Sequence, residues 1–349
     1  MGAQGKIIIV FLGWLVLQEA GCASLPDQSS RAPSHKHTDT ATTALALRFQ
    51  QDVAAHPGHS GVYPLAIGSE AFLARVALIK LAEKSLDLQY YIWRRDTTGL
   101  LLAAYLLEAA ERGVRVRLLL DDLGSPLGDD ALILMSLHPN IEVRLFNPVA
   151  SRTQRLLSMI TDFGRVNRRM HNKSLTADNT LAVLGGRNIG NEYFDANDEV
   201  GFADLDVLAV GPVVDEVTDS FDLYWNYPAS YPIESLSGRT LSEAETAQAR
   251  EEAARLKADS EASDYARQVR LLEFLQNPQA LQWYWGVASL VYDHPAKADG
   301  SIDASQRLLG RMRGIIDEVQ SELIIVSPYF VPGEKGVAYL GGLAGKGIK

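Results

Sequence analysis

The sequence has one cysteine, an excess of acidic over basic residues, and a leading apolar run too short to span a bilayer comfortably. A lone cysteine, Cys22, among 349 residues excludes an internal disulfide and a cysteine-based zinc site. The formal net charge of -10 gives no general attraction to nucleic-acid phosphates, although Arg165, Arg168 and Arg169 form a local basic patch. The remaining composition, 47% hydrophobic and 22% charged, is that of a globular protein with one large domain or two ordinary ones.

The N-terminal segment has the features of a secretion signal. Its apolar run, residues 7–17, has the length of a signal-peptide core. Ala20 and Gly21 precede Cys22, which resembles a bacterial lipoprotein cleavage site, so residues 1–22 are interpreted as a signal with Cys22 as the lipidated residue. An ordinary signal, an uncleaved anchor and a buried core segment stay open as alternatives.

The residue after the cysteine bears on the expected location. Ala23, rather than an aspartate, follows Cys22, and by resemblance to lipoprotein sorting rules this favours the outer membrane over the inner one. The sequence therefore predicts a protein of the bacterial cell envelope. Its folded domain is expected in the periplasm, anchored to a membrane.

The pattern along the chain predicts a division into parts. Residues 23–60 are polar and rich in Ser, Thr and Pro at their start, which predicts a tether. Residues 61–230 are expected to form a first repeat, and residues 231–300 a helical insert and connector. Residues 301–349 are expected to start a second repeat, because they repeat the order helix, strand, helix, glycine and strand start.

Strands alternate with helices through the first repeat. This alternation predicts an α/β fold with a mixed, mostly parallel sheet flanked by helices. The strands are expected near residues 86–93, 114–120 and 141–146, and the helices near residues 69–84, 100–112 and 131–137. Further helices are expected over residues 213–225 and 242–276, and strands over the aromatic segment 283–292 and over residues 321–330.

The most informative segment is His171-Asn172-Lys173, followed by Asp178. Alternation along an extended strand places His171 and Lys173 on one face. A phosphodiester is negatively charged, so an enzyme acting on it must supply cations, a nucleophile and a proton for the leaving group. A neutral His171 can attack phosphorus if a carboxylate orients its other ring nitrogen, and Lys173 can hold a non-bridging oxygen.

A second element follows the motif at a fixed spacing. Six residues separate Asp178 from the segment Gly185-Gly186-Arg187-Asn188. The glycines free the backbone, so Asn188 can lie beside the same face as a neutral donor. A bare His-x-Lys occurs often by chance, whereas the combined spacing is far more restrictive.

This combined pattern resembles the signature of the phospholipase D superfamily. The surrounding residues are most similar to the bacterial cardiolipin synthase branch, particularly its C-type enzymes. The segments that carry this narrower resemblance are residues 88–93, 169–173, 185–190, 204–208 and 327–332. The resemblance covers residues 60–349.

The resemblance implies roles for the motif residues. His171 would form a phosphohistidine or act as its acid/base partner. Lys173 and Asn188 would bind the phosphate, and Gly186 is expected to be substrate-binding together with Asn188. Asp178 belongs to the catalytic motif, where it would hold the local structure.

The resemblance also implies a carboxylate that orients the histidine from the next strand. Asp206 is the first candidate and Glu199 the second. The family needs neither metal nor cofactor, and none is expected here. The implied reaction moves a phosphatidyl group from one phospholipid to the hydroxyl of another, giving cardiolipin, with hydrolysis when water is the acceptor. Phospholipids and a membrane are therefore the expected partners, and nucleic acid is not.

The sequence departs from the family in having one such motif instead of two. The later histidine, His294, lies in His294-Pro295-Ala296-Lys297, which has the wrong spacing. A C-terminally truncated two-motif enzyme is the preferred interpretation, and a homodimer is possible if the one-motif chain is active. A phosphodiesterase acting on nucleic acid and an inactive lipid-binding lipoprotein are the alternatives.

Overall fold

The computed structural model describes residues 25–28, 31–152, 163–197, 201–238, 240–263, 265–266, 281–328 and 330–349. Cys22 and the rest of the predicted signal lie outside these residues, as does Glu199.

The described chain is built from a central sheet and helices around it. The strands are β1 (Ser60–Leu65), β2 (Ser85–Tyr90), β3 (Arg115–Asp121), β4 (Ile141–Phe146), β5 (Ser174–Ala177), β6 (Leu181–Gly185), β7 (Asp206–Val210), β8 (Ser230–Pro232) and β9 (Tyr284–Gly286). The helices are α1 (Ala44–Ala55), α2 (Gly68–Leu81), α3 (Thr97–Glu111), α4 (Asp129–Ser136), α5 (Phe163–Val166), α6 (Pro212–Trp225), α7 (Ile233–Ser237), α8 (Glu243–Glu261), α9 (Leu308–Ile316) and α10 (Gly333–Gly345). Short 3-10 turns lie at Asn191–Tyr193, Pro295–Ala298 and Ala304–Gln306.

The sheet is mixed, with the strand order β8-β4-β3-β2-β5-β6-β7-β1-β9. The pairs β2/β3 and β3/β4 are parallel, because helices α3 and α4 carry the chain back between them. The six other neighbouring pairs are antiparallel. The α/β class with a mixed sheet and flanking helices is thus confirmed, but the expectation of a mostly parallel sheet is wrong. Three residues, 178–180, join β5 to β6, and a link that short can only return an antiparallel strand.

Helices cover both faces of the sheet, as the alternation of buried residues on β3 illustrates. Leu118 and Leu120 join the core with α2 and α3, whereas Leu119 packs with Phe221 and Trp225 of α6. Burial of a leucine side chain stabilises a fold by about 1.5–3 kcal/mol. Both faces of the central strands therefore contribute to stability, which explains their nearly continuous apolar sequences.

The segment predicted to be a tether is folded against the domain over its described residues from 31 onwards. The Arg31 guanidinium donates to the main-chain oxygen of Asn226 (2.6 Å), and Lys36 forms ion pairs with Asp215 (2.9 Å) and Asp219 (2.8 Å) on α6. Helix α1 follows, and strand β1 lies between β7 and β9. Polar contacts with α6 and the residue after it, rather than burial of apolar side chains, hold the start of this segment against the domain. This explains why its sequence has no apolar period.

Two predicted elements of the insert are reproduced only in part among the described residues; positions 264 and 267–276 of the predicted helix lie outside them. Helix α8 ends at Glu261, and Ser242 caps it together with Glu245 in a reciprocal capping box. The aromatic segment expected to continue to residue 292 forms only the three-residue edge strand β9, paired with β1. Its Trp285 ring stacks on the ring of His56 at 4.2 Å between centroids.

The expected strand over residues 321–330 is not a strand in its described part, residues 321–328 and 330. Ile324 and Val326 are 77% and 66% exposed. The main-chain bonds described there run to Lys349, which donates to Ser321 O (2.9 Å) and accepts from Leu323 N (2.9 Å). Two such bonds are too few to establish a ladder, since each strand residue needs a partner along its length.

The C-terminal segment nevertheless repeats the geometry of the first α/β unit. Gly113 after α3 and Gly347 after α10 both have positive φ, 95° and 87°. Arg115 N donates to Lys84 O (3.0 Å), and Lys349 N donates to Ser321 O (2.9 Å) in the same way. The weak sequence duplication therefore has a counterpart in backbone hydrogen bonding.

Candidate active site

A cavity of about 320 Å³ opens where the chain enters β5. Its walls come from the start of β5, the end of β6, helix α6 and the segment 290–297. His171, Lys173 and Gly185 line it, together with Gln89, Asp293 and Lys297. We call it the His171 cavity. Its volume is at the lower end of the range for small-molecule sites, which suits a headgroup better than a whole lipid.

His171 lies in the extended segment that precedes β5. Its ring packs on Tyr91, with 4.4 Å between the ring centroids and a tilt of 44°. Partial desolvation, together with the charge of Lys173, lowers the pKa of His171 to about 4. The imidazole is therefore neutral at pH 7, which is the protonation state of a nucleophile.

Lys173 supplies a cation next to this imidazole. Its Nζ donates to the main-chain oxygen of His171 (2.7 Å) and lies 5.8 Å from the centre of the Tyr91 ring. Burial lowers the pKa of Lys173 to about 8, against the opposing fields of Asp204 and Asp206. The ammonium group is therefore mostly charged at pH 7. Since an ammonium has three donors, two are left for a ligand in the described structure.

The two glycines at the end of β6 allow a close approach between β6 and β7. A Cβ at Gly185 would overlap the Asp206 carboxylate, and a Cβ at Gly186 would overlap the carboxylate of Asp204. Gly185 lines the cavity, whereas Gly186, the predicted substrate-binding residue, is not among the lining residues. Glycine is thus required at position 185, where main-chain atoms of Leu205 and Asp206 also lie too close, whereas a side chain at position 186 would displace the Asp204 carboxylate.

Asn188 is buried, with both ends of its amide bonded to protein groups. Its Oδ1 accepts from Ile92 N (3.1 Å), and its Nδ2 donates to the hydroxyl of Tyr193 (3.0 Å). It does not line the His171 cavity. The amide therefore links the loop after β6 to the end of β2, and the described residues show no hydrogen bond between it and His171.

Asp206 also has partners other than His171. Its fully buried carboxylate forms an ion pair with Arg75 on α2 (2.7 Å) and accepts from the main-chain nitrogen of Arg187 (3.1 Å). Among the described residues, Asp206 and His171 share no hydrogen bond. The orienting role predicted for Asp206 is thus not what its contacts do in this structure.

Asp178 lies at the far end of β5 from Lys173. It is fully buried, with a φ of 51° at the turn into β6. Its carboxylate accepts from the main-chain nitrogens of Glu83 (3.0 Å), Lys84 (2.8 Å) and Ser85 (2.9 Å). These bonds pair the main-chain donors at the start of β2 with a carboxylate at the end of β5. The contacts of Asp178 therefore stabilise the packing of these two strands.

Asp121 is a functional candidate that the sequence reasoning missed. It is buried at the carboxyl end of β3 and accepts from Arg169 Nη1 (3.0 Å) and Met170 N (2.9 Å). Burial raises the pKa of Asp121 to about 6, although Arg169 opposes the shift. These bonds fix the two residues before His171. Its position at the end of a buried parallel strand, where ligand sites lie in such sheets, was the signal available.

Two features are absent from the described residues. No group of three or more His, Cys, Asp and Glu side chains there is arranged to hold a metal ion. In the same part of the chain, no helix is both long and apolar enough to cross a membrane.

Comparison with known proteins gives concordant matches. Residues 76–225 match the family described as "Cardiolipin synthase, PLD-like domain". Cardiolipin synthase C of Escherichia coli is 44% identical over 296 residues, which cover 84% of this chain and 62% of the relative. An uncharacterised protein of Helicobacter pylori is 33% identical over 350 residues, covering 99% of this chain and 68% of the relative. The chain thus spans less than two thirds of the length of the Escherichia coli protein.

Among solved structures, the crystal structure of phosphatidylserine synthase from Haemophilus influenzae is similar to this one. The TM-score is 0.52 at 14% identity, with 87% of this chain and 64% of the other covered. At this identity the likeness shows the fold alone. It agrees with the mixed sheet and flanking helices described above.

Proposed function

This chain belongs to the phospholipase D superfamily, in its cardiolipin synthase-like branch, and we propose that it carries half of a phosphatidyltransferase site. The proposed reaction transfers a phosphatidyl group from one phospholipid to a hydroxyl of another, giving cardiolipin. The observation that supports it is the neutral imidazole of His171 beside the ammonium group of Lys173 in one cavity.

The proposed mechanism begins with attack of a His171 ring nitrogen on phosphorus. The bond between phosphorus and the leaving oxygen breaks, a phosphohistidine forms, and the leaving oxygen takes up a proton. The hydroxyl of the acceptor lipid then attacks phosphorus, loses its proton and releases His171. Lys173 holds a non-bridging oxygen throughout, because a fixed cation stabilises the charge that develops in both transition states.

We propose a positioning role for the other motif residues. Asp178, Asn188 and Gly186 shape the strands and the loop around the site without entering the cavity. The proton for the leaving oxygen comes, in this proposal, from the histidine of a second motif, supplied by a homologous repeat or by a second copy of the chain. The recurring cap geometry at Gly113 and Gly347 supports the division into a first repeat, an insert and a second repeat.

Expression of this chain in a bacterial strain without cardiolipin synthases tests the proposal. We expect mass spectrometry of the lipid extract to show cardiolipin, provided that a second motif is available to the chain. Co-expression with a homologous second repeat supplies that motif. No cardiolipin and no rise in phosphatidic acid over the strain that carries an empty vector would contradict a phosphatidyltransferase and favour the inactive lipid-binding alternative.

We further propose that the chain is a membrane-anchored lipoprotein whose domain faces the periplasm. The support is the sequence alone, with Cys22 after two small residues and a short apolar run. We expect labelled palmitate to be incorporated into the wild-type chain and not into Cys22→Ala, because the thiol is the acceptor of the lipid. Equal labelling of both proteins, or of neither, would contradict lipidation at Cys22.

A further inference from the structure

The wall of the His171 cavity opposite β5 comes from residues 290–297, which lie more than 100 residues further along the chain. This segment is held firmly. Tyr224 on α6 donates its hydroxyl proton to the main-chain oxygen of Asp293 (2.5 Å). Leu308 N donates to Asp293 Oδ1 (2.7 Å), and His294 Nδ1 accepts from Ala296 N (3.1 Å) at the start of the 3-10 turn. The side chains of the segment therefore have fixed positions in the cavity.

Lys297 is the cation of this wall. Its side chain is 15% exposed, and Nζ forms an ion pair with Asp293 Oδ2 (2.7 Å). That contact uses one of its three donors, and the described residues provide no further hydrogen-bond partner for the ammonium group. Because two of its donors have no described partner, this largely buried ammonium can bond an anionic ligand in the cavity and keep its ion pair with Asp293.

We propose that Lys297 is a second anion-binding group of the site and that Asp293 is the residue that positions it. In this arrangement Lys173 and Lys297 hold the two non-bridging oxygens of one phosphodiester from opposite sides. This inference rests on the proposed function, since it assigns the phosphodiester of the substrate to the His171 cavity. It also explains how a chain of net charge -10 concentrates positive charge where an anion must bind.

The charges that act on His171 agree with this arrangement. After desolvation and Lys173, the charge of Lys297 contributes to lowering the pKa of His171, and Asp293 opposes it. Lys297 and Asp293 line the same cavity as the imidazole, so a single ligand there can contact all three. A bound phosphate would face one neutral nucleophile and two ammonium groups.

The test uses inorganic phosphate as the probe and the full chain as the protein. Binding is followed by NMR of the histidine rings during a phosphate titration. We expect Lys297→Met to bind phosphate roughly tenfold more weakly than wild type, because a charge-assisted hydrogen bond is lost. Lys297→Arg should restore most of the affinity, and Lys335→Met, which removes an exposed lysine on α10, should bind like wild type.

A second measurement distinguishes loss of the lysine charge from misfolding of the variant. The pKa of His171, read from the same ring signals without phosphate, should rise in Lys297→Met because a repelling cation is gone. Unchanged phosphate affinity in Lys297→Met, or no saturable phosphate binding to wild type, would overturn the inference. Loss of phosphate binding in Lys297→Met without any lipid turnover by wild type would instead uphold the anion site and count against the proposed function.

Discussion

Replacement of His171 by alanine is expected to abolish phosphatidyl transfer, with a loss of roughly 10³-fold or more. The imidazole is the nucleophile in the proposed mechanism, and no neighbouring group in the described cavity can form an equivalent phosphorus–nitrogen bond at neutral pH. Lys173 keeps its charge there, because its pKa is about 8. The measurement is cardiolipin formation by mass spectrometry, with the variant in a full two-motif enzyme.

The matched control is His59→Ala, which removes an exposed histidine whose side-chain hydrogen bond among the described residues is local, to Pro57 O (3.1 Å). This variant should keep wild-type activity. Transfer retained by His171→Ala at the level of the control would refute the assignment of the nucleophile.

The pH profile of the wild-type enzyme provides a second check on the same site. A lowered pKa means that His171 becomes protonated, and loses its nucleophilic lone pair, only as the pH falls through about 4. Lys173 loses its charge as the pH rises through about 8. Activity should therefore be highest between these values, and Lys173→Arg should extend the alkaline limb because arginine stays charged. An acid limb near pH 6.5 would indicate an unperturbed histidine.

The sequence predicted the parts of the site that are close together along the chain. His171 and Lys173 are two residues apart on an extended segment, so local geometry alone places them together. The combination with Asp178, Gly186 and Asn188 identified the family correctly. It did not distinguish residues that line the cavity from residues that hold its walls, because spacing in a pattern carries no information about which hydrogen bonds a buried side chain makes.

Residues from distant segments could not be predicted in the same way. Asp293 and Lys297 have no spacing relation to His171, and they reach the cavity only because α6 and the sheet fix the returning chain. The direction of most strand pairs was missed for a similar reason. Alternation of helices and strands suggests parallel pairs. The short link between β5 and β6 instead makes that pair antiparallel, and β7, more than 100 residues after β1, pairs with it in the antiparallel direction as well.

Asp206 gives the second large expected effect, on stability. Its carboxylate and the Arg75 guanidinium are both fully buried, 2.7 Å apart, and Arg75 also bonds Tyr90 (3.0 Å) and Ala71 O (2.7 Å). Asp206→Ala leaves a buried guanidinium without its counter-charge, which costs about 3–5 kcal/mol of unfolding free energy. Urea unfolding should therefore show a much lower midpoint at an unchanged slope.

The same variant distinguishes a structural role from the orienting role that the sequence suggested. If Asp206 oriented His171, Asp206→Ala would lose activity while keeping most of its stability. The contacts in the structure predict the opposite order, with the loss of stability dominant and any surviving folded protein still showing the acid limb of His171 near pH 4. The control is Asp204→Asn. The wild-type Asp204 carboxylate accepts from Leu205 N (2.8 Å), and its replacement should change stability little.

The double variant Arg75→Met/Asp206→Ala should be more stable than Asp206→Ala alone, because replacing both partners removes the unpaired buried charge. A double variant at least as unstable as the single one would show that the pair is not the source of the effect.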